Sequence, residues 1–338
     1  MMSSLSAGRP DASGRASPIP FMLYDVIIVG GGPAGTAAAV YTARKRLKTL
    51  LIAEEFGGQS IVSDDIQNWI GEKHISGFDL AQKLEAHVRA FSDMVDIKTE
   101  RAVAVAAKGD DFEVRTEQGN VYQGKSVILA AGARRRKLGV PGEDTFNGKG
   151  VAYCSTCDAP LFSGKKVAVV GGGNAGLEAV EDLFPYASEV WLLERTDVLR
   201  GDQITQDEIK KNQKFKGIIF NADITEIIGD KFMTGIKYTD AATGEKKELA
   251  LEGMFIEIGS IPNSEMVKGL VELDHYGQVI IDSKHATTSC PGIFAAGDIT
   301  DDPYKQNNIS AGDAVKAALA AYAYLLKREK QSLAGENG

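Results

Sequence analysis

The run YDVIIVGGGPAG, Tyr24–Gly35, decides the fold. Tyr24–Val29 is short, apolar and rich in β-branched residues, the composition of a parallel strand buried on both faces. Gly30-Gly31-Gly32-Pro33-Ala34-Gly35 follows without a gap, and Thr36–Arg46 reads as a helix. This is G-x-G-x-x-G in its strand–turn–helix setting. Gly30 permits the tight turn, and Gly32 lets the backbone approach a pyrophosphate held on the positive end of the helix dipole. The next strand, Thr49–Ala53, ends at Glu54, about 20 residues on, where an acid can hold a ribose hydroxyl.

The pattern recurs further along. Lys166–Val170 is a second buried strand and Gly171-Gly172-Gly173-Asn174-Ala175-Gly176 a second fingerprint. Leu177–Phe184 starts its helix, and Glu189–Leu193 is a strand ending at Glu194. Two dinucleotide-binding units imply two dinucleotides and electrons passing between them. Near the other end, Gly292–Asp298 is a short strand closing on a Gly-Asp turn, and Ser310–Leu326 is an Ala-rich helix former. An Asp at that turn can accept hydrogen bonds from ribityl hydroxyls. A helix starting near Ile309–Ser310 can stabilise negative charge on a reduced flavin.

The expected fold is therefore α/β: two Rossmann-like domains of three-layer ββα type, for FAD and NAD(P), the nicotinamide domain inserted in the FAD domain. The boundaries read as 22–143 and 271–330 for the discontinuous FAD domain and 144–270 for the insert. Residues 1–21 read as a disordered leader, or as an early start codon ahead of Met22, and 331–338 as a tail. Leu129–Ala133 and Val140–Glu143 read as a strand end and the hinge into the insert, and the basic run Arg134–Lys137 as a solvated turn.

Bulk properties narrow the classes. Hydrophobic residues make up 43% and charged residues 25% of 338, as in soluble globular proteins. A formal net charge of −8 argues against a nucleic-acid partner. No apolar run approaches the ~20 residues of a membrane helix. Three cysteines do not make an extracellular disulfide framework, so the expected compartment is the cytoplasm.

Cys154-Ser155-Thr156-Cys157-Asp158 lies just ahead of the second nucleotide strand. A thioredoxin-type domain has no room here. A zinc site would need four ligands, and only Cys290 and four scattered histidines remain, so no metal is expected. The remaining reading is a redox-active pair beside a flavin, since a reduced flavin and a dithiol both exchange electrons two at a time. The C-x-x-C spacing and a helix start lower a thiol pKa, and exchange with a protein disulfide proceeds through a mixed disulfide. Asp158 reads as the only nearby acid, and Cys290 as a packing residue.

The run CSTCDAPLFSGKKVAVVGGGNAGLEA, Cys154–Ala179, resembles the low-molecular-weight thioredoxin reductase family and equally the flavoprotein subunit of alkyl hydroperoxide reductase. Gly57-Gly58-Gln59, Asn68-Trp69, Phe294–Asp298 and Tyr304-Lys305-Gln306 extend the resemblance from Tyr24 to Leu326. It implies a thioredoxin-disulfide reductase: a homodimer that passes electrons from NAD(P)H through FAD and the cysteine pair to a thioredoxin-like or glutaredoxin-like protein. By resemblance, Cys157 faces the flavin, Cys154 attacks the substrate and Asp158 is the acid. Cofactor contacts are implied at Gly30, Gly32, Pro33, Ala34, Gly35, Glu54, Gly58, Gln59, Asn68, Ala131, Gly132, Gly297, Asp298, Lys305 and Gln306. Gly171, Gly173, Asn174, Gly176, Glu194, Arg195 and Arg200 are implied for the nicotinamide dinucleotide.

Two departures from relatives matter. The peroxide-linked flavoprotein carries its own C-x-x-C in a long N-terminal extension; the short segment here implies a partner in trans. Glutathione-reductase-type enzymes keep the pair in the FAD domain with a late catalytic His, and no His follows His285. Nicotinamide and Cys157 both need the flavin, so the resemblance also implies a hinge motion of the inserted domain. NADPH-using relatives carry His-Arg-Arg where this chain reads Glu194-Arg195-Thr196, with Arg200 following, so NADH is the expected donor. The rival readings are a reductase for a peroxiredoxin system through a separate carrier, and an NADH diaphorase or oxidase with idle cysteines.

Overall fold

The computed structural model describes residues 22–63 and 65–335, so the leader 1–21 lies outside the described residues. The described residues form two compact units, one of 22–58, 83–132 and 263–335, the other drawn from 59–82 and 133–262.

In the first unit, five strands make a parallel sheet in the order Ile293–Ala295, Val127–Leu129, Val26–Val29, Thr49–Ala53, Val95–Thr99. The alternate residues Val26 and Ile28 pack against alanines of the helices Pro33–Arg44 and Asn307–Gly335. Ile27 and Val29 face the other way, onto Val105, Phe112 and Val114 of a four-stranded sheet. Both faces of the strand are thus covered, which is why its sequence does not alternate. Tyr24, expected in this strand, pairs instead with the second sheet at Gly124, and its hydroxyl donates to Asp96 at 2.9 Å.

The second unit repeats the plan. Its parallel sheet runs Val151–Ala152, Gly253–Ile256, Lys166–Val170, Glu189–Leu193, Phe215–Ile219. Val167 and Val169 meet Leu177, Val180 and Leu183 of the helix Asn174–Leu183. Ala168 and Val170 meet Ile224, Ile236 and Tyr238 of a three-stranded antiparallel sheet. Each unit is therefore a three-layer ββα Rossmann-like domain.

Four expectations change. The basic run is exposed at Arg134, Arg136 and Lys137 as expected, but it is not a turn: Ala133–Arg135 is a strand paired antiparallel with Ser260–Pro262. Val140–Glu143 is not a hinge but part of the second unit's body, because Pro141 accepts the Ile227 N–H and buried Glu143 accepts from Leu138 N–H, Gly139 N–H and the Tyr153 hydroxyl. Residues 331–335, read as tail, continue the last helix. The segment 59–82, assigned from sequence to the first domain, groups with the second unit.

Candidate active site: two glycine cradles and a disulfide

Both glycine loops show one division of labour. A Cβ on Gly35 would lie 1.8 Å from the Gly30 carbonyl oxygen, and one on Gly176 would lie 1.8 Å from that of Gly171. Gly30 and Gly171 have φ of +117° and +126°, where L side chains are strained. The middle glycines open outward instead: a Cβ on Gly32 would meet only Gly58 Cα within 4 Å, at 3.8 Å, and one on Gly173 would meet nothing. Tight ends and an open centre at a helix N-terminus are what a pyrophosphate needs, so the loops fit two dinucleotides.

Around the first cradle, Pro33 and Ala34 open the helix, and a Cβ on Gly297 would lie 3.2 Å from Ala34 Cβ. The Ser310 hydroxyl is 3.4 Å from Asp298 Oδ1. Asn263, missed in the sequence, donates its amide to the Ala131 carbonyl at 2.8 Å and its N–H to Gly132 at 3.0 Å. Glu54 stands exposed at its strand end, 4.0 Å from Arg101. Lys305 donates to the Thr300 carbonyl at 2.6 Å, and burial pushes its ammonium down despite neighbouring Asp298. Gln306 ends the loop before the last helix. Gln59 and Asn68 lie on the segment that groups with the second unit.

Around the second cradle, Glu194 does not point to solvent. It is 4% exposed. Its Oε2 accepts the Gly172 N–H at 2.7 Å, and its Oε1 accepts the Thr196 N–H at 2.9 Å and hydroxyl at 2.8 Å. Burial pushes the carboxyl up, but those bonds and Arg200 outweigh it and hold Glu194 below its ordinary range. Asn174 Oδ1 accepts the Asp202 N–H at 2.7 Å. Arg195 is 84% exposed along its side chain and 4.0 Å from Asp223.

Cys154 and Cys157 form a disulfide with Cα atoms 5.3 Å apart. Cys154 is the N-cap of the single turn Ser155–Asp158, which carries Cys157. Asp158 is not the only acid nearby. Asp182, on the nucleotide helix, accepts the Ser155 hydroxyl at 2.7 Å and the Thr156 hydroxyl at 3.3 Å. Glu257, just past the buried strand Gly253–Ile256, accepts the Ser155 N–H. Burial pushes Glu257 up to about 7, opposed by Arg135 and that N–H and reinforced by Asp182 and Asp158. An acid directly after an apolar parallel strand was a legible signal, since sites gather at strand carboxyl ends; Asp182 had none. Cys290 is half-buried against the first unit's core, and burial raises its thiol.

Two dinucleotide cradles and a disulfide at a helix start define a dinucleotide-dependent disulfide oxidoreductase. The chain belongs to the pyridine nucleotide-disulphide oxidoreductase family, whose model matches residues 24–321. It is 45% identical over 317 residues to an NADH dehydrogenase of Bacillus subtilis, covering 94% of this chain and 61% of that protein. It is also 45% identical to the F component of the alkyl hydroperoxide reductase of Pseudomonas putida, covering 90% and 58%. The chain thus spans about three fifths of the length of these curated relatives. A solved thioredoxin reductase from Streptococcus pyogenes superposes with a TM-score of 0.83 at 37% identity, covering 90% of this chain and 99% of that one. No helix among the described residues is long and apolar enough to cross a membrane.

Proposed function

We propose that this chain is a flavin-dependent disulfide reductase that passes electrons from NADH to Cys154–Cys157 and on to a thioredoxin-like protein. The observation that carries it is the disulfide at the start of a helical turn inside a dinucleotide-binding unit. Bound FAD supplies the two-electron relay between nicotinamide and disulfide. The cradle Gly30–Gly35 with Ala131, Gly132, Gly297 and Asp298 would hold it, aided by Glu54, Gly58, Lys305 and Gln306. By the resemblance, Cys157 would take the electrons from the flavin and Cys154 attacks the partner disulfide, its thiolate favoured by the helix start. Asp158 supplies the proton to the leaving thiolate. The assembly is a homodimer, in keeping with the thioredoxin-reductase resemblance, and its compartment the cytoplasm, in keeping with the sparse cysteines.

The test is anaerobic titration of the yellow protein with NADH, followed by a panel of thioredoxin-like and glutaredoxin-like proteins. Reduction of one of them, lost in Cys154→Ser and Cys157→Ser, is the expected result. Failure of the parent enzyme to reduce any of these disulfides, with NADH oxidation unchanged in the double variant, would instead favour an NADH:acceptor oxidoreductase, the reading suggested by the Bacillus relative's name.

NADH preference rests on Glu194. Its buried, ionised carboxylate stands at the strand end beside the cradle, where an additional phosphate dianion would meet like charge. The expected kcat/KM is at least about tenfold higher with NADH than with NADPH. Glu194→His with Thr196→Arg should narrow that ratio, and a parent enzyme that prefers NADPH overturns the assignment.

A further inference from the structure

The turn that carries the cysteine pair is gripped by two carboxylates that the mechanism above leaves unused. Glu257 takes the N–H of Ser155, the first residue of the turn and the amide joined directly to Cys154. Asp182 takes the hydroxyls of Ser155 and Thr156 from the other side. The charged groups that face Glu257 are Arg135 from the paired strand Ala133–Arg135, Asp158 from the turn itself and Asp182 from the helix Asn174–Leu183. One cation against two anions leaves a half-buried carboxylate poorly compensated. Asp182 already holds two hydroxyl donors, so Glu257 is the group whose charge responds to its neighbours.

Reduction changes those neighbours. Two electrons break the sulfur–sulfur bond and leave one thiol and one thiolate, a new negative charge on the turn that Glu257 grips. We propose that Glu257 is a positioning residue for the cysteine pair that takes up a solvent proton on reduction and gives it back on reoxidation. The balance is disulfide, Glu257 carboxylate, two electrons and two protons giving thiolate, thiol and Glu257 carboxylic acid. The electrons come from the reduced dinucleotide in turnover, so the inference rests on the disulfide-reductase reading. Burial, which raises this carboxyl to about 7 before any thiolate forms, makes the uptake possible near neutral pH.

The test is the equilibrium between the FAD-loaded full chain and dithiothreitol, read by acid trapping and mass shift of Cys154 and Cys157. Dithiothreitol carries two protons per two electrons below its own thiol pKa. In the wild type the pH dependence should therefore fade as pH rises above about 7, where Glu257 of the oxidised protein is ionised, and be flat near pH 8. In Glu257→Gln, which keeps an acceptor for the Ser155 N–H, reduction should grow about tenfold more favourable per pH unit. Matching profiles in the two proteins overturn the proposal. If the Gln variant does not fold, the reduced-minus-oxidised infrared difference spectrum decides: a gained carboxylic-acid band must persist in Asp158→Asn and in Asp182→Asn, and its absence overturns the proposal. Dithiothreitol reduces the pair whether or not NADH does, so failure of NADH to reduce it would sink the reductase reading alone.

Discussion

Glu194 and Glu257 end two strands of one sheet, and their surroundings push their carboxyls in opposite directions. Glu194 is depressed, so its stabilising contribution is full above about pH 4.5 and is lost as pH falls through its folded value. Glu194→Gln should cost about 1–3 kcal/mol at neutral pH and flatten the acid limb of a urea-unfolding series. Parallel acid limbs in the two proteins would count against the clamp. Glu257 is raised, so the native state binds more protons and stability falls as pH rises from about 4.5 to about 7. Glu257→Gln should therefore stabilise the oxidised protein above pH 7, by about 1–2 kcal/mol once partial exposure is discounted. A loss of stability there would contradict it. Glu194 was legible at its strand end through its spacing from a glycine fingerprint, whereas Glu257 offered the strand-end signal alone, with no fingerprint ahead of it. Nor did the sequence show that Thr196, read as a missing Arg, would fill one oxygen of Glu194 from two donors.

Each glycine loop is an element whose ends are closed by contact and whose centre is open. Gly176→Ala forces a methyl against the Gly171 carbonyl, so the loop must shift. Such a variant should bind NADH at least about tenfold more weakly while remaining yellow. Gly35→Ala should do the reverse and purify with little FAD, because its methyl meets Gly30. Flavin content and NADH titration of the two variants separate the roles, and equal flavin loss in both would refute them. These loops were legible because the motif is local: strand, turn and helix are consecutive. The Ala133–Arg135 pairing was not, because its partner Ser260–Pro262 lies over a hundred residues away and neither run has strand-like alternation.

The molecule as a whole consists of two ββα units, each with its own pair of cores, so ligands should stabilise them separately. Calorimetry should show FAD release lowering one unfolding transition and NAD+ raising another. A single transition moved equally by both ligands would contradict independent units. The sequence by itself determined the duplicated nucleotide fold and the cysteine pair, since each is written in neighbouring residues and short-range periodicity. Only the tertiary structure decided which charges surround that pair. Arg135, Asp182 and Glu257 come from three separate elements; Asp182 and Glu257 meet at Ser155 and Arg135 faces Glu257, an arrangement that depends on the register of the sheets. Burial then sets their ionisation, and burial is a property of the packed unit, not of any run of residues.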